Sequence, residues 1–189
     1  MKAVSWRSLA CVALALVAPV ALADRYTDTI ALFRHAGPTA DFFKTSYGYA
    51  VFPTIGKGGF VVGAAHGEGR VYQHGRYIGH TSMTQLSVGF QFGGQAYSEM
   101  VFFQDPSALQ RFESGNFSLS AEINAVALTA SASASAGTAG AEAGASGTET
   151  HATATGHYQN GVAVFTIAKG GLMYQAAVAG QKFSFTPLH

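Results

Sequence analysis

Residues 86–92, LSVGFQF, show the plainest alternation in the chain: Leu86, Val88, Phe90 and Phe92 alternate with Ser87, Gly89 and Gln91. A period of two predicts a strand with one apolar face turned to a core. Similar short runs rich in Val, Phe and Tyr recur between glycines: YAVFP, GGFVVGAAH, GRVYQHGRYIGH and AYSEMVFF. Turn signals about every ten residues imply an antiparallel meander, sandwich or barrel. Before these runs, residues 25–46 read as two short helices. Thr27 and Asp28 are cap candidates ahead of Ile30, Leu32 and Phe33, and Gly37-Pro38 separates this helix from one carrying Phe42 and Phe43. Two outcomes fit these aromatics: helices packed on the sheet, or an amphipathic surface in which Phe33, Phe42 and Phe43 beside Arg34 and Lys44 touch a membrane. A third helix is expected near 106–114, with Asp105 as N-cap, Pro106 at its first position, Leu109 and Phe112 inward, and Gly115 at its end. The expected fold is α+β and predominantly antiparallel β, sandwich or barrel-like. It forms one domain over 24–189, with an Ala/Ser/Gly-rich tract at about 129–150 in which TASASASAG suits a strand with one small-residue face and AGTAGAEAGASGTE a mobile hairpin tip or loop.

Much of AVFPTIGKGGFVVGAA, residues 50–65, returns as AVFTIAKGGLMYQAA at 163–177. With Pro53 skipped, ten of fifteen positions are identical. Lys-Gly-Gly suggests a phosphate loop, but the spacing fails: no Ser or Thr follows Lys57, and Val61 stands where a dinucleotide fingerprint needs its third glycine. Both copies sit among strand-like residues, so the element is structural, two equivalent strand-turn-strand units. Lys57 and Lys169 fall on matching turns.

The N-terminus changes the picture of compartment. Lys2 and Arg7 precede an apolar run from Leu9 to Leu22, and Ala21-Leu22-Ala23 precedes Asp24. This is the layout of a signal peptide over 1–23, implying export to a bacterial periplasm. A retained anchor, or a lipoprotein using Cys11, is a weaker fit, since the run is short for a span of ~20 residues and the cysteine lies early. Cys11 is the only cysteine, so the exported 166 residues hold neither disulfide nor thiolate. They carry 9 basic and 10 acidic residues, which argues against a nucleic-acid binder.

Candidate chemistry is thin. His66, His74, His80, His151 and His157 lack tight metal spacing, although His66 and His74 would face each other if Gly67-Glu68-Gly69 were a turn. No Gly-x-Ser-x-Gly elbow occurs, and Asp41, Glu68, Glu99, Asp105, Glu113 and Glu122 form no evident pair. No enzyme, cofactor or metal is expected. The usable signal is basic: Lys57, Arg70 and Arg76 fall around Tyr72 and Tyr77, a mixture suited to an anionic lipid surface.

The segment YGYAVFPTIGKGGFVVGAAHGEGRVY resembles the hallmark of the SYLF domain, the Ysc-type actin-binding or lipid-binding domain, through Gly48, Ala50, Phe52, Pro53, Gly59, Phe60, Gly63, Gly67 and Gly69. LSVGFQFGGQ is similar to the family's central glycine-glutamine run, with Gly89, Gln91, Gly93 and Gln95 aligned, and KGGLMYQAAVAGQKF resembles its closing strands. The chain departs from the pattern at Gly79–Met83 and at ALTASASASAG. The resemblance implies a non-catalytic module for anionic phospholipid or membrane surface. The alternative is a structural or protein-binding envelope component. Some family members bind actin, a partner not expected in a periplasm. Lys57 and Lys169 occupy family motif positions. Together with Arg70 and Arg76 they form the candidate lipid-binding set.

Overall fold

The computed structural model describes residues 24–58, 62–88, 95–119, 123, 125–128, 156–169 and 180–188. In chain order these are α1 (Arg25–Arg34), a 3-10 turn (Gly37–Thr39), α2 (Ala40–Thr45), β1 (Gly48–Gly58), β2 (Val62–Gln73), β3 (Arg76–Val88), β4 (Gln95–Phe103), α3 (Pro106–Glu113), β5 (Phe117–Ser118), β6 (Ala125–Leu128), β7 (Val162–Lys169) and β8 (Lys182–Pro187). The strands form one curled, half-barrel sheet in the order β5-β8-β3-β2-β1-β4-β7-β6. All pairs are antiparallel except β6 with β7. The mostly antiparallel, barrel-like expectation holds, as a single mixed sheet.

Because side chains alternate across a strand, the sheet has two cores. The inner one joins Phe52, Ile55, Met83, Val101, Phe103 and Phe183, closed by Leu109 and Phe112 of α3. Local signals fix that helix as expected: Asp105 accepts from the Ala108 N–H at 2.9 Å, and Gly115 ends it at φ 77°. The outer core joins Phe33, Val51, Met100, Phe102, Phe165 and Ile167, with Phe42 and Phe43 packed against it. Phe33 is fully buried, and both α2 rings lie against Phe102 at 5.5 and 5.0 Å. The N-terminal aromatics therefore serve packing. The α1 cap is Asp24, whose carboxylate accepts from the Tyr26 N–H, and neither Thr27 nor Asp28.

The β2–β3 hairpin turns at His74-Gly75, with φ 47° and 77°, the two positive values that a tight two-residue hairpin requires. Residues 67–69 lie within β2, so the expected turn there is corrected. His66 pairs with Glu68 at 3.0 Å instead of meeting His74. Gly67 and Gly69 are glycine for another reason: a Cβ on Gly69 would stand 2.6 Å from the Phe52 ring.

The repeated segments become β1 and β7, which flank β4 on opposite sides. Pro53 has no N–H to give and sits at a register irregularity in β1, which absorbs the extra residue. Identical letters then face opposite cores: Phe52 and Ile55 inward, Phe165 and Ile167 outward. The turn and return strand of the second copy, and the tract at 129–150, lie outside the described residues.

One alternation is inverted. Gln85 is buried on the inner face while Leu86, expected inward, is 78% exposed.

Candidate functional site

The four candidate cations separate into distinct places. Lys57 stands opposite Gln95 on one side of β4, and Lys169 opposite Ala96 on the other. Their backbones are thus about 10 Å apart, two strand spacings. Lys169 is exposed, and its Nζ donates to Thr54 Oγ1 at 2.7 Å, crossing β4. The exposed Leu86 belongs to this same end of the sheet. It pairs with Ala64, which pairs in turn with Gly58 beside Lys57.

Arg76 is exposed at the opposite end, where β3 starts and Gln73 faces Gly48. Nine residues of β1 separate Gly48 from Lys57, about 30 Å of strand. Arg70 is engaged elsewhere. Its guanidinium pairs with Asp24, lies 4.0 Å from the Tyr26 ring and 5.1 Å from the Tyr77 ring, and thereby fastens α1 to β2. The structure brings the backbones of Lys57 and Lys169 to one end of the sheet, on either side of β4 and one residue out of register, and leaves Arg70 and Arg76 outside that group. Among the described residues no cluster of three or more His, Asp or Glu could hold a metal. His151 lies outside them.

Two features escaped the sequence. The first is a cleft of about 290 Å³ at the Arg76 end, where Arg34 of α1, Phe43 and Lys44 of α2, Tyr47 and Tyr49 at the start of β1, and His74 of the hairpin meet. Arg34 lies over the Phe43 ring at 4.9 Å, and the Tyr47 and His74 rings meet edge-on at 4.5 Å. Burial, with Tyr72 alongside, holds the Tyr49 phenol above its ordinary pKa. The only hint in the sequence was Gly48 after Tyr47, and nothing there joined Arg34 to His74. The second feature is Glu99, wholly buried on the inner face between Phe52 and Thr166. Its Oε2 accepts from Gln181 Nε2 at 2.9 Å, and burial pushes its pKa up to about 8.

Comparison with known proteins places this geometry. The chain is 26% identical over 159 residues to beta cell expansion factor A of Aeromonas veronii, across 83% of this chain and 52% of that protein. It thus spans about half the length of that relative. A family model described as Ysc84, Las17-binding protein actin regulator, matches residues 84–186, from β3 through β8 and more than half of the chain. By this match the chain belongs to the Ysc84, or SYLF-domain, family, which is linked to actin and lipid binding.

Proposed function

We propose that the chain is an exported, non-catalytic module that binds anionic lipid at a membrane surface. The observation that carries this reading is an exposed apolar side chain and an exposed cation at the same end of the sheet. Leu86 stands 78% exposed on the same end as Lys169 and the backbone of Lys57. Apolar contact and cation attraction together favour a bilayer over bulk water, each cation near the surface adding about 1 kcal/mol. Among the described residues no helix is long and apolar enough to cross a membrane. That fits attachment by a surface and says nothing about the strands. Export to the periplasm belongs to the same proposal, and it would keep the chain from actin. Cleavage after Ala23 would make Asp24 the first residue, and mass measurement of the chain recovered from the periplasm is expected to show that N-terminus. A mass that includes residues 1–23 would overturn it.

Co-sedimentation with vesicles tests the lipid reading. Binding is expected with phosphatidylglycerol in the vesicle and not with phosphatidylcholine alone. It should fall as salt rises, because exposed charges are screened beyond ~8 Å at physiological ionic strength. A Lys57→Glu/Lys169→Glu variant is expected to lose most of that binding, and Leu86→Ser to weaken it at every salt concentration. Sedimentation that ignores all three substitutions would remove this end of the sheet as the contact. No sedimentation under any condition would favour the alternative, an envelope component that binds protein partners.

A further inference from the structure

The sheet ends at β5, and among the described residues no strand pairs with the outer edge of β5. A second cleft, of about 460 Å³, lies between this strand and the last turn of α3. Strands β8, β3 and β2 stand between it and β1, which carries Lys57. We propose that this cleft is a docking groove for an extended acidic peptide, which adds to β5 as one more strand.

The backbone of β5 suits such a partner. Phe117 stands opposite Phe183 of β8. The Leu119 N–H donates to the Gln181 carbonyl at 3.0 Å, and the Leu119 carbonyl accepts from the Gly180 N–H at 3.0 Å. Backbone groups of an antiparallel strand turn to alternate sides. Phe117 and Leu119 use theirs on β8, so Ser118 between them turns its N–H and C=O outward. Ser118 lines the cleft. An unpaired edge of this kind is a template for another strand, in which main-chain hydrogen bonds supply affinity and side chains supply specificity.

The side chains define the partner's chemistry. Gln110 of α3 and Asn116 just before β5 line the cleft, and neither amide has a hydrogen-bond partner among the described residues. An amide both donates and accepts, as the groups of a peptide backbone do. Phe117 offers apolar contact, held in place by the Phe112 and Phe183 rings at 5.5 and 6.0 Å. Arg111 sets the sign of the charge. It lines the cleft, no described carboxylate does, and it makes no ion pair among the described residues. Its guanidinium is fixed by donating to Ser107 Oγ at 3.1 Å and to the Asn160 carbonyl at 2.9 Å, which leaves its remaining N–H groups for a ligand. Because Arg111 sits in the last turn of α3, its full charge also outweighs the helix's partial negative charge of about one half there. Lys182, exposed and opposite Ser118, adds a second positive charge one strand away.

The full chain, immobilised on beads, tests this against two pools of N-acetylated, C-amidated hexapeptides. One pool is Glu-x-Glu-x-Glu-x and the other Lys-x-Lys-x-Lys-x, with x randomised, and retention of the glutamate pool over the lysine pool is expected. The best-retained sequence, titrated by fluorescence anisotropy, should bind about tenfold more weakly to Arg111→Gln, which loses charge-assisted hydrogen bonds. Ser118→Pro should weaken it similarly, since proline deletes the outward N–H and is tolerated on a strand edge. Gln110→Glu should weaken binding about threefold and Gln110→Lys strengthen it, the scale of an exposed charge pair. Both Gln110 variants should keep the wild-type urea midpoint, because that side chain is exposed and unbonded among the described residues. Methylating alternate backbone nitrogens of the peptide should abolish binding in one register and spare it in the other. Lys57→Glu/Lys169→Glu should leave binding intact, which separates this groove from the membrane contact. Retention of neither pool, equal retention of both, or equal binding by wild type and folded Gln110→Glu overturns the proposal.

Discussion

Raising the pH from 5 to 8 is expected to lower the stability of this protein by several kcal/mol, and Glu99→Gln to remove that dependence. Glu99 is 0% exposed and bonded by Gln181, and no Lys, Arg or His bonds to it among the described residues. Besides Gln181 the inner face offers Tyr97, whose hydroxyl accepts from Gln181 Nε2 at 3.2 Å, and the neutral Thr166. Two acceptor oxygens, Glu99 Oε1 and Gln181 Oε1, have no partner among the described residues. One proton resolves both. A neutral carboxyl donates to the Gln181 carbonyl while accepting from its amide, a paired arrangement that an ionised carboxylate cannot make. The pKa is raised from 4.5 to about 8 in the folded chain, chiefly by burial. Between those values the unfolded chain has lost this proton and the folded chain keeps it. Folding therefore takes up a proton, and stability falls as pH rises, by roughly 1.4 kcal/mol per unit, levelling off above the folded value. Thermal unfolding from pH 5 to 9 measures this. A glutamine at 99 supplies the same donor and acceptor at every pH, so its curve should stay flat and lie above wild type at pH 9. A wild-type slope that persists in Glu99→Gln would place the titration elsewhere.

Gly69→Ala is expected to cost about 2–3 kcal/mol, because the new methyl enters space already filled. A Cβ there meets two Phe52 ring carbons at 2.6 and 2.7 Å and Thr81 Cγ2 at 2.8 Å. Phe52 cannot retreat: it is fully buried, with Phe183 5.6 Å away across the inner core. Urea unfolding should show a lower midpoint with an unchanged slope. Gly75→Asn is the informative contrast, since an added Cβ there meets nothing within 4 Å and asparagine tolerates a φ of 77°. An equal loss in both variants would mean that the ring over Gly69 is not what makes its substitution costly.

These effects show which parts of the molecule were legible in the sequence. Helix α3 was, because Asp105, Pro106 and Gly115 act within about three turns of each other. The hairpin at His74-Gly75 was not placed, because a histidine at positive φ resembles any other residue of a Val- and Tyr-rich run. Arg70 read as a free cation because its partner Asp24 lies 46 residues away, beyond any local pattern. Glu99 looked isolated for the same reason, its partner Gln181 being 82 residues distant. At residues 85–86 periodicity named the right element and the wrong face. The inner core accepts Gln85, and tertiary packing decided which side of β3 turned inward. The cleft joins α1, α2 and a hairpin, and only the fold reveals that meeting.

The two repeats carry a consequence for how such a chain can change. Phe52 lies over Gly69, and Phe165 lies just as closely over Gly156, although the rings face opposite cores. The heritable unit is therefore larger than the repeated strand: it is a phenylalanine together with a distant glycine that makes room for it. A copy of the strand moved without that glycine would arrive with nowhere to put its ring. Drift at either glycine is coupled to its phenylalanine, so the pairs Phe52–Gly69 and Phe165–Gly156 should vary together or not at all.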